Sequence, residues 1–535
     1  MAGSGFSLPS RQLVSQQDSA VIARPDVPRS RFTGSWSHKT TIGAGGLYPF
    51  LVDEVLPGDT LQYNVTAYVR MSTPLFPLFS DQRVDTFFFF VPCRLLWSNW
   101  RRFMGEQPDP ASSIAFTIPQ IVSPAGGFSN LSLYDHFGVP GAGQIVGGLS
   151  ISINALPLRA YNLIFSEWFR DENLVAGVYL PTGDGPDTAS FYATFKRAKS
   201  HDYFTSALPW PQKFVAPSIP LLGSALVKGI GINAYNPAAS GLTFTEAGSA
   251  TPRSFAFSQG NAVLEANIVS GWPNVFADLS TASGVSINQL RESFLVQQLL
   301  ERDARGGTRY TELIRSHFGV TSPDARLQRP EYIGGGSTPL AITPIAQTAP
   351  TTGLTVGALG AAGTASGSHS ASVAATEHGY VIGLVNVKSE LLYQQGLHKM
   401  WKRSTRFDFY WPSLAGLGEQ AVLRGELFTN GQPTNDTAVF GYQERWHEYR
   451  TRTSEATGFF RSTTGATLDQ WHLGQRFLTA PVLGATFIED TPPMSRVLAA
   501  GALSAEQQYL CDILISRVAV RPIPTFGTPV SLGRF

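Results

Sequence analysis

Residues 61–69 read LQYNVTAYV, and the alternation within them is strict. Leu61, Tyr63, Val65, Ala67 and Val69 fall on one side, and Gln62, Asn64, Thr66 and Tyr68 on the other. A period of two with one apolar face predicts a half-buried β-strand. Pro57-Gly58-Asp59 predicts the turn before it. Downstream, VDTFFFFV (84–91) is a continuous apolar and aromatic run of strand length, ended by Pro92. That predicts a strand covered on both faces. YVIGLVNVK (380–388) and DILISRVAVR (512–521) carry strand signals near the other end of the chain. The first and last of these signals lie about 450 residues apart. Strands from both chain ends, with helices and long loops between, predict one barrel with large insertions. An eight-stranded barrel needs only about 50–60 strand residues, so most of the chain is decoration.

Helical periodicity is sparse. In 156–173, Leu158, Tyr161, Ile164, Phe165 and Trp168 form a stripe, with Arg159, Asn162 and Arg170 opposite. Residues 286–305 predict a second helix, with a Ser286/Gln289 capping box at its start and Gly306-Gly307 at its stop. Its apolar residues are Leu290, Phe294, Leu295 and Leu299. Tyr310–Phe318 predicts a third, closed by Gly319. These are too few and too scattered for a βαβ array.

Charge is scarce. Only 15% of the 535 residues are Asp, Glu, Lys or Arg, and the net charge is +1. Globular domains average about 25%. The balance excludes a basic coat of DNA and an acidic tail, and the scarcity suggests surface buried against partners. The deficit concentrates in two stretches. Residues 214–285 hold five charges in 72, and 332–376 hold none in 45. The second, rich in Gly, Ala, Ser and Thr, has the composition of a long flexible loop. Residues 1–46 are polar and irregular, with Arg24, Pro25, Pro28, Arg29 and Arg31 close together. They predict an extended arm, either loosely docked or gripping a neighbour or nucleic acid.

No catalytic motif has the required spacing: there is no G-x-S-x-G, H-E-x-x-H or P-loop. Gly141, Gly143 and Gly147 lie in a loop pattern. His398, His447 and His472 sit among aromatics and are read as structural. Asp53, Glu54 and Asp59 crowd LVDEVLPGDT, where a turn-stabilising or intersubunit role is favoured and a hard cation would find several carboxylates. Cys93 and Cys511 exclude a disulfide framework. No apolar run reaches membrane-spanning length and no secretory signal pattern opens the chain, so folding in a reducing cytoplasm is expected. Basic and aromatic residues interleave twice: Trp97, Trp100, Arg101, Arg102 and Phe103, then His398, Lys399, Trp401, Lys402, Arg403, Arg406 and Phe407. That mixture suits single-stranded nucleic acid, but a protein interface, which uses the same residue types, is the favoured reading.

Several long segments together resemble one family. They are HKTTIGAGGLYPFLVDEVLPGDT (38–60), RMSTPLFPLFSD (70–81), FFFFVPCRLLWSNWRRFMGEQ (87–107), LPLRAYNLIFSEWFRDENL (156–174) and HDYFTSALPWPQK (201–213). LLERDARGGTRYTELIRSHFGVTSPDARLQRPEYIGGGSTP (299–339) is the strongest. TEHGYVIGLVNVKSELLYQQGLHKMWKRSTRFDFYWPSLAGLGEQAV (376–422), FGYQERWHEYR (440–450) and DQWHLGQRF (469–477) follow. In order, they resemble the major capsid proteins of the Microviridae, particularly the gokushovirus branch. Residues 214–285 depart from the family pattern, Cys93 stands where the family commonly has Asn, and the C-terminal stretch from Arg521 matches loosely.

The resemblance implies a mainly β chain with a single viral jelly roll, an eight-stranded antiparallel sandwich with long loop insertions and a few short helices. It implies an arm over 1–46 and one jelly-roll domain over 47–535, with 214–285 as a variable surface protrusion. It implies no enzyme and no cofactor, with a structural divalent cation left open. The subunit would form a T = 1 icosahedral shell around circular single-stranded DNA and would be located in the virion after assembly in the host bacterial cytoplasm. Expected partners are other copies of the chain, the packaged DNA, a small basic DNA-binding protein, a pilot protein, a transient scaffolding protein and a host surface receptor. Membrane insertion is not expected. DNA contact is expected at Lys399, Trp401, Lys402, Arg403 and Arg406. Intersubunit or inner-surface roles are expected at Arg29, Arg31, Trp97, Trp100, Arg101 and Arg102, and host attachment between Phe214 and Val285. A lectin-like β-protein and a minor host-binding spike are the competing classes.

Overall fold

A computed structural model describes residues 29–217, 286–348, 357, 359–499 and 507–526, with short strand pieces between 226 and 278. Nine strands build one antiparallel sheet: β1 (Ser30–Ile42), β2 (Tyr48–Val55), β3 (Thr60–Met71), β4 (Gln82–Pro92), β5 (Glu331–Pro339), β6 (Ala341–Ala346), β7 (Leu359–Ala374), β8 (Gly379–Ser389) and β9 (Tyr509–Arg521). Their order is β1-β9-β3-β7-β5-β4-β8-β2, with β6 on β7. Halves of four strands, β1-β9-β3-β7 and β5-β4-β8-β2, meet between β7 and β5. Two four-stranded antiparallel layers with this crossing order form a jelly roll. The strands come from both chain ends, because β9 lies between β1 and β3.

The alternation of β3 is realised as expected. Leu61, Tyr63, Val65, Ala67 and Val69 are buried, while Gln62, Asn64, Tyr68 and Arg70 are exposed. β4 is covered on both sides. Phe88 and Phe90 join β3, β9 and the inner residues of β8 (Val381, Val385, Val387) in the barrel core. Phe89 and Val91 face the other way, with Tyr380, Ile382 and Leu384, into a second core. Each such ring removed from water contributes about 1.5–3 kcal/mol.

Part of the expected arm over 1–46 is a regular strand. Residues 30–42 are strand β1, paired along their whole length with β9, and 1–28 lie outside the described residues. As an edge strand exposed over much of its length, β1 shows no clean apolar alternation. The charge-free stretch 332–376 is likewise not a long loop but mostly strand, β5 to β7. Its small residues permit close packing. A Cβ on Gly336 would strike the His369 ring, and one on Gly367 would strike Thr338. At the junction of the two halves, Gly334 (φ +152°) and Gly335 (φ +154°) leave no room for a side chain against the Ser370 and Thr86 carbonyls. His369 ties this corner together, with Nδ1 2.6 Å from Thr86 Oγ1 and Nε2 3.1 Å from Thr338 Oγ1.

The first predicted helix is α1 (Leu156–Ile164), continued by one π-turn over Phe165–Phe169. Its polar side is also buried. Arg159 is 2% exposed and Asn162 0%. Arg159 donates to both Asp187 carboxylate oxygens, at 2.7 and 2.6 Å, and to the carbonyls of Leu96 and Gly183. The guanidinium is tolerated because every strong acceptor around it is supplied. A second buried charge group lies beside β4 and β8, where Arg197 bonds Asp85 at 2.5 Å. Burial there lowers Lys199 and Lys388 to about 8 and raises Asp490 to about 6.

Residues 210–320 form a separate compact unit. It contains α2 (Ile287–Gly306), with the expected Ser286/Gln289 capping box, and α3 (Tyr310–Phe318), closed by Gly319 in the left-handed conformation. His317 and Asp303, 2.7 Å apart, join the two helices. Leu290, Phe294, Leu295 and Leu299 are exposed. Most of the expected insertion 214–285 lies outside the described residues.

Two outcomes are expected. Asp187→Ala, which leaves Arg159 buried and uncompensated, costs about 3–5 kcal/mol in denaturant unfolding. For Asp490, the folded protein keeps its proton from the ordinary 3.8 up to about 6. The folded state therefore binds more protons than the unfolded state across that window, and this group's stabilisation is lost as pH rises through it. Asp490→Asn removes that dependence, which denaturation midpoints at pH 4 and pH 6 would reveal.

Candidate nucleic-acid interface

The segment after β8 winds through three short turns, Lys399–Lys402, Arg406–Asp408 and Pro412–Leu414. Few backbone groups pair there, so side chains set the path. The Asp408 carboxylate accepts from the Ser404 and Thr405 backbone N–H groups at 2.9 and 2.7 Å. Those bonds hold Asp408 below the usual carboxylate range. The chain then enters a hairpin, Glu419–Leu423 against Val439–Glu444.

On this framework, Trp401 is 70% exposed and Phe407 66%. Phe409, Tyr410, Trp411 and Tyr449 are also exposed. Arg406 lies over the Trp411 ring, 4.8 Å from its centroid, and the Trp411 indole donates to the Arg406 carbonyl at 3.1 Å. Open π faces beside an exposed guanidinium offer stacking and charge together.

The other cations are engaged within the chain. Arg403 donates to Glu448 Oε1 at 2.8 Å and lies 4.3 Å from the Tyr449 centroid. Its side chain is 9% exposed and that of Glu448 4%. Burial pushes Glu448 up, but hydrogen bonds from Gln420 and Arg403 prevail and hold it below the carboxylate range. Lys399 donates to the Ala421 carbonyl at 3.0 Å, and Lys402 to that of Asp436 at 3.3 Å. Burial lowers the Lys402 ammonium. Arg403 is therefore a buried ion-pair partner rather than a surface contact. The sequence signal missed Phe409, Tyr410, Trp411 and Tyr449, although FDFYW (407–411) displays three of them. A cavity of about 40 Å³ beside Lys399, lined also by Tyr203, Tyr393, Glu426 and Glu448, has room for water but not for a base.

The second basic and aromatic cluster separates by burial. Trp97 is 0% exposed, sits in the core beyond β4 and donates to Asp184 at 2.7 Å. This corrects its expected surface role: a ring this large fills the space between Trp100, Phe103 and Phe116. Trp100 is partly buried against the same core. Arg101 and Arg102 are exposed, and Arg101 pairs with Glu106 at 3.0 Å. Arg29 donates to the Gly58 carbonyl and Arg31 is exposed.

Near the Pro57-Gly58-Asp59 turn, Asp53 accepts from Tyr63 Oη at 2.8 Å and from Arg517 at 2.5 Å. Asp59 accepts from Leu56 N–H at 2.9 Å and lies 3.5 Å from Arg521. Arginines supply the countercharge that a hard cation would otherwise bring. Among the described residues, no three His, Cys, Asp or Glu side chains are grouped to hold a metal ion. No described helix is long and apolar enough to cross a membrane.

A family model described as "Capsid protein (F protein)" matches residues 20–531. The chain is similar to "Capsid protein VP1" of Bdellovibrio phage phiMH2K, at 44% identity over 97% of this chain and 98% of that protein. It is similar to "Capsid protein VP1" of Chlamydia phage 1, at 35% identity over 98% and 99%. It is also similar to "Capsid protein VP1" of Spiroplasma virus 4, at 33% identity over 96% and 97%.

The two arginines of this surface are expected to behave differently. Arg403→Ala strands the buried Glu448 carboxylate and costs about 3–5 kcal/mol of folding stability. Arg406→Ala stays within about 0.5 kcal/mol. Urea unfolding of both variants checks this.

Proposed function

The chain belongs to the capsid (F) protein family of the Microviridae, as a capsid protein of small single-stranded DNA bacteriophages, and from that footing we propose that it closes into a T = 1 icosahedral shell around a circular genome. The jelly roll supports this reading, since it leaves both ends of the sandwich free for loops that make lateral contacts. Closed shells need surfaces poor in charge at their contact centres, and only 15% of this chain's residues are charged.

In this reading the genome contacts the exposed rings of 401–411. The observation that carries it is the exposure of Trp401, Phe407, Phe409, Tyr410 and Trp411 along one segment, with Arg406 lying over the Trp411 ring. Stacking tolerates any base, and one guanidinium adds local charge without making the coat basic. A chain of net charge +1 leaves most phosphates to other counterions. A small basic virion protein fits that need. A pilot protein, a transient scaffold and assembly in the host cytoplasm complete the proposal, with Arg29, Arg31, Trp100, Arg101 and Arg102 at subunit contacts or on the inner surface. The insertion 214–285 projects outward and meets the host receptor, because variation there does not disturb closure.

Two measurements test the proposal. Trp401→Ala should weaken binding of a short single-stranded oligonucleotide by about 1–3 kcal/mol while particles still form. Loss of particles with unchanged DNA affinity would assign the rings to a protein interface instead. Deleting 225–275 should leave icosahedral particles visible by negative stain and abolish attachment to host cells. Failure to form particles would reject the outward assignment.

A further inference from the structure

Asn430 and Gly431 lie in an exposed turn between the short helix Arg424–Leu427 and the turn Pro433–Asp436. Four contacts converge on this dipeptide. The Gly431 N–H donates to Asp436 Oδ2 at 3.0 Å, and the Asn430 N–H donates to Asp436 Oδ1 at 3.2 Å. The side-chain carbonyl oxygen of Asn430 accepts from the Gln432 N–H at 3.0 Å and from Asn435 Nδ2 at 3.4 Å. Gly431 has φ +80°, and nothing occupies the space where its side chain would stand.

These are the parts of an acyl-transfer site. The Gly431 nitrogen is the nucleophile, with its proton directed at a carboxylate base. The Asn430 carboxamide is the electrophile, and two N–H donors stabilise negative charge developing on its oxygen. Glycine leaves the nucleophile unhindered, and water reaches the turn freely.

We propose that Asn430-Gly431 is a self-modification site, where the fold promotes conversion of the Asn430 amide to an acid through a cyclic imide. The Gly431 nitrogen attacks Asn430 Cγ while its proton passes to Asp436. The bond from Cγ to Nδ2 then breaks, and that nitrogen leaves as ammonia, taking the proton back from Asp436. Water opens the five-membered imide to aspartyl or isoaspartyl. Water is the only co-reactant, and no electrons are exchanged.

The product has a local consequence. It places a new carboxylate against Asp436, whose backbone carbonyl accepts from Lys402. Repulsion between the two acids opens the turn and frees Lys402, next to the exposed rings of 401–411. Each conversion adds one negative charge per chain.

Purified full-length protein, incubated in mildly alkaline buffer and digested with trypsin, tests this. The peptide from Gly425 to Arg445 contains Asn430 and, as an internal control, Asn435. The expected result is acid and isoaspartyl at 430 with 435 intact, formed faster in the folded chain than in the same chain held in urea. Asp436→Asn should slow the reaction at least about tenfold, short of the ~10²–10⁴ of a fully positioned base. Because that substitution also loosens the turn, Asp436→Glu, which keeps a carboxylate there, should restore part of the rate, whereas a loosened turn alone would not be rescued. Gly431→Ala should slow it as well. Conversion that is slower folded than unfolded overturns the proposal, and an unchanged or faster rate in Asp436→Asn overturns the role of the base.

Discussion

The barrel depends on one pairing, the insertion of the last strand between the first and the third. Residues 509–521 bond to 30–42 on one side and to 60–71 on the other, in continuous register. Ile513, Ile515 and Ala519 fill the centre of the core from this strand alone. Without it, the buried edge of β3 would lack partners for its N–H and C=O groups, each a costly loss. Everything between Met71 and Tyr509 is therefore constrained at both ends. Insertions of any length are accommodated provided that they return the chain to this slot, because loop closure grows only slowly more costly with length.

The corner between the two halves imposes the second constraint. β5 and β7 share only the Gly334–Ala371 pairing, and the backbone there passes so close to β4 and β7 that side chains are excluded. The neighbouring strands follow suit with Gly, Ala and Ser. Much of the absence of charge over 332–376 is thus a packing requirement. The inward side of β7 must be small because Met71, Leu340 and Thr338 already occupy the space, and the outward side carries serines.

Strong periodicity was legible. LQYNVTAYV announced one buried face by its alternation, and FFFFV announced burial on both faces by its unbroken apolar run, because both lie in the middle of the sheet. β1 was not, since an edge strand needs no consistent apolar face. Of 332–376, the strand portions 332–339, 341–346 and 359–374 look like loop in sequence, because small residues are alike in a flexible loop and in a tightly packed strand, and only the neighbours decide. At the candidate site, the mixture of rings and cations was visible but its division was not. Trp97 and Trp401 have the same chemistry in sequence; one lies under Phe103 and Phe116 and the other faces water. Arg403 looked like a free cation until Glu448, 45 residues away, supplied its partner. The capsid family was recognisable from long ordered segments, none of which depends on knowing which side chains are buried.

The late arrival of β9 also has a consequence in time. Roughly 440 residues separate Met71 from Tyr509, and at ribosomal speeds of ~5–20 residues per second they take about 20–90 s to synthesise. Throughout that interval the first three strands wait with an empty slot between β1 and β3. A nascent or truncated chain therefore cannot close its barrel, and only a chain that has delivered its last strand presents finished lateral surfaces. Closure of the barrel is thus among the last folding steps that synthesis of the chain permits.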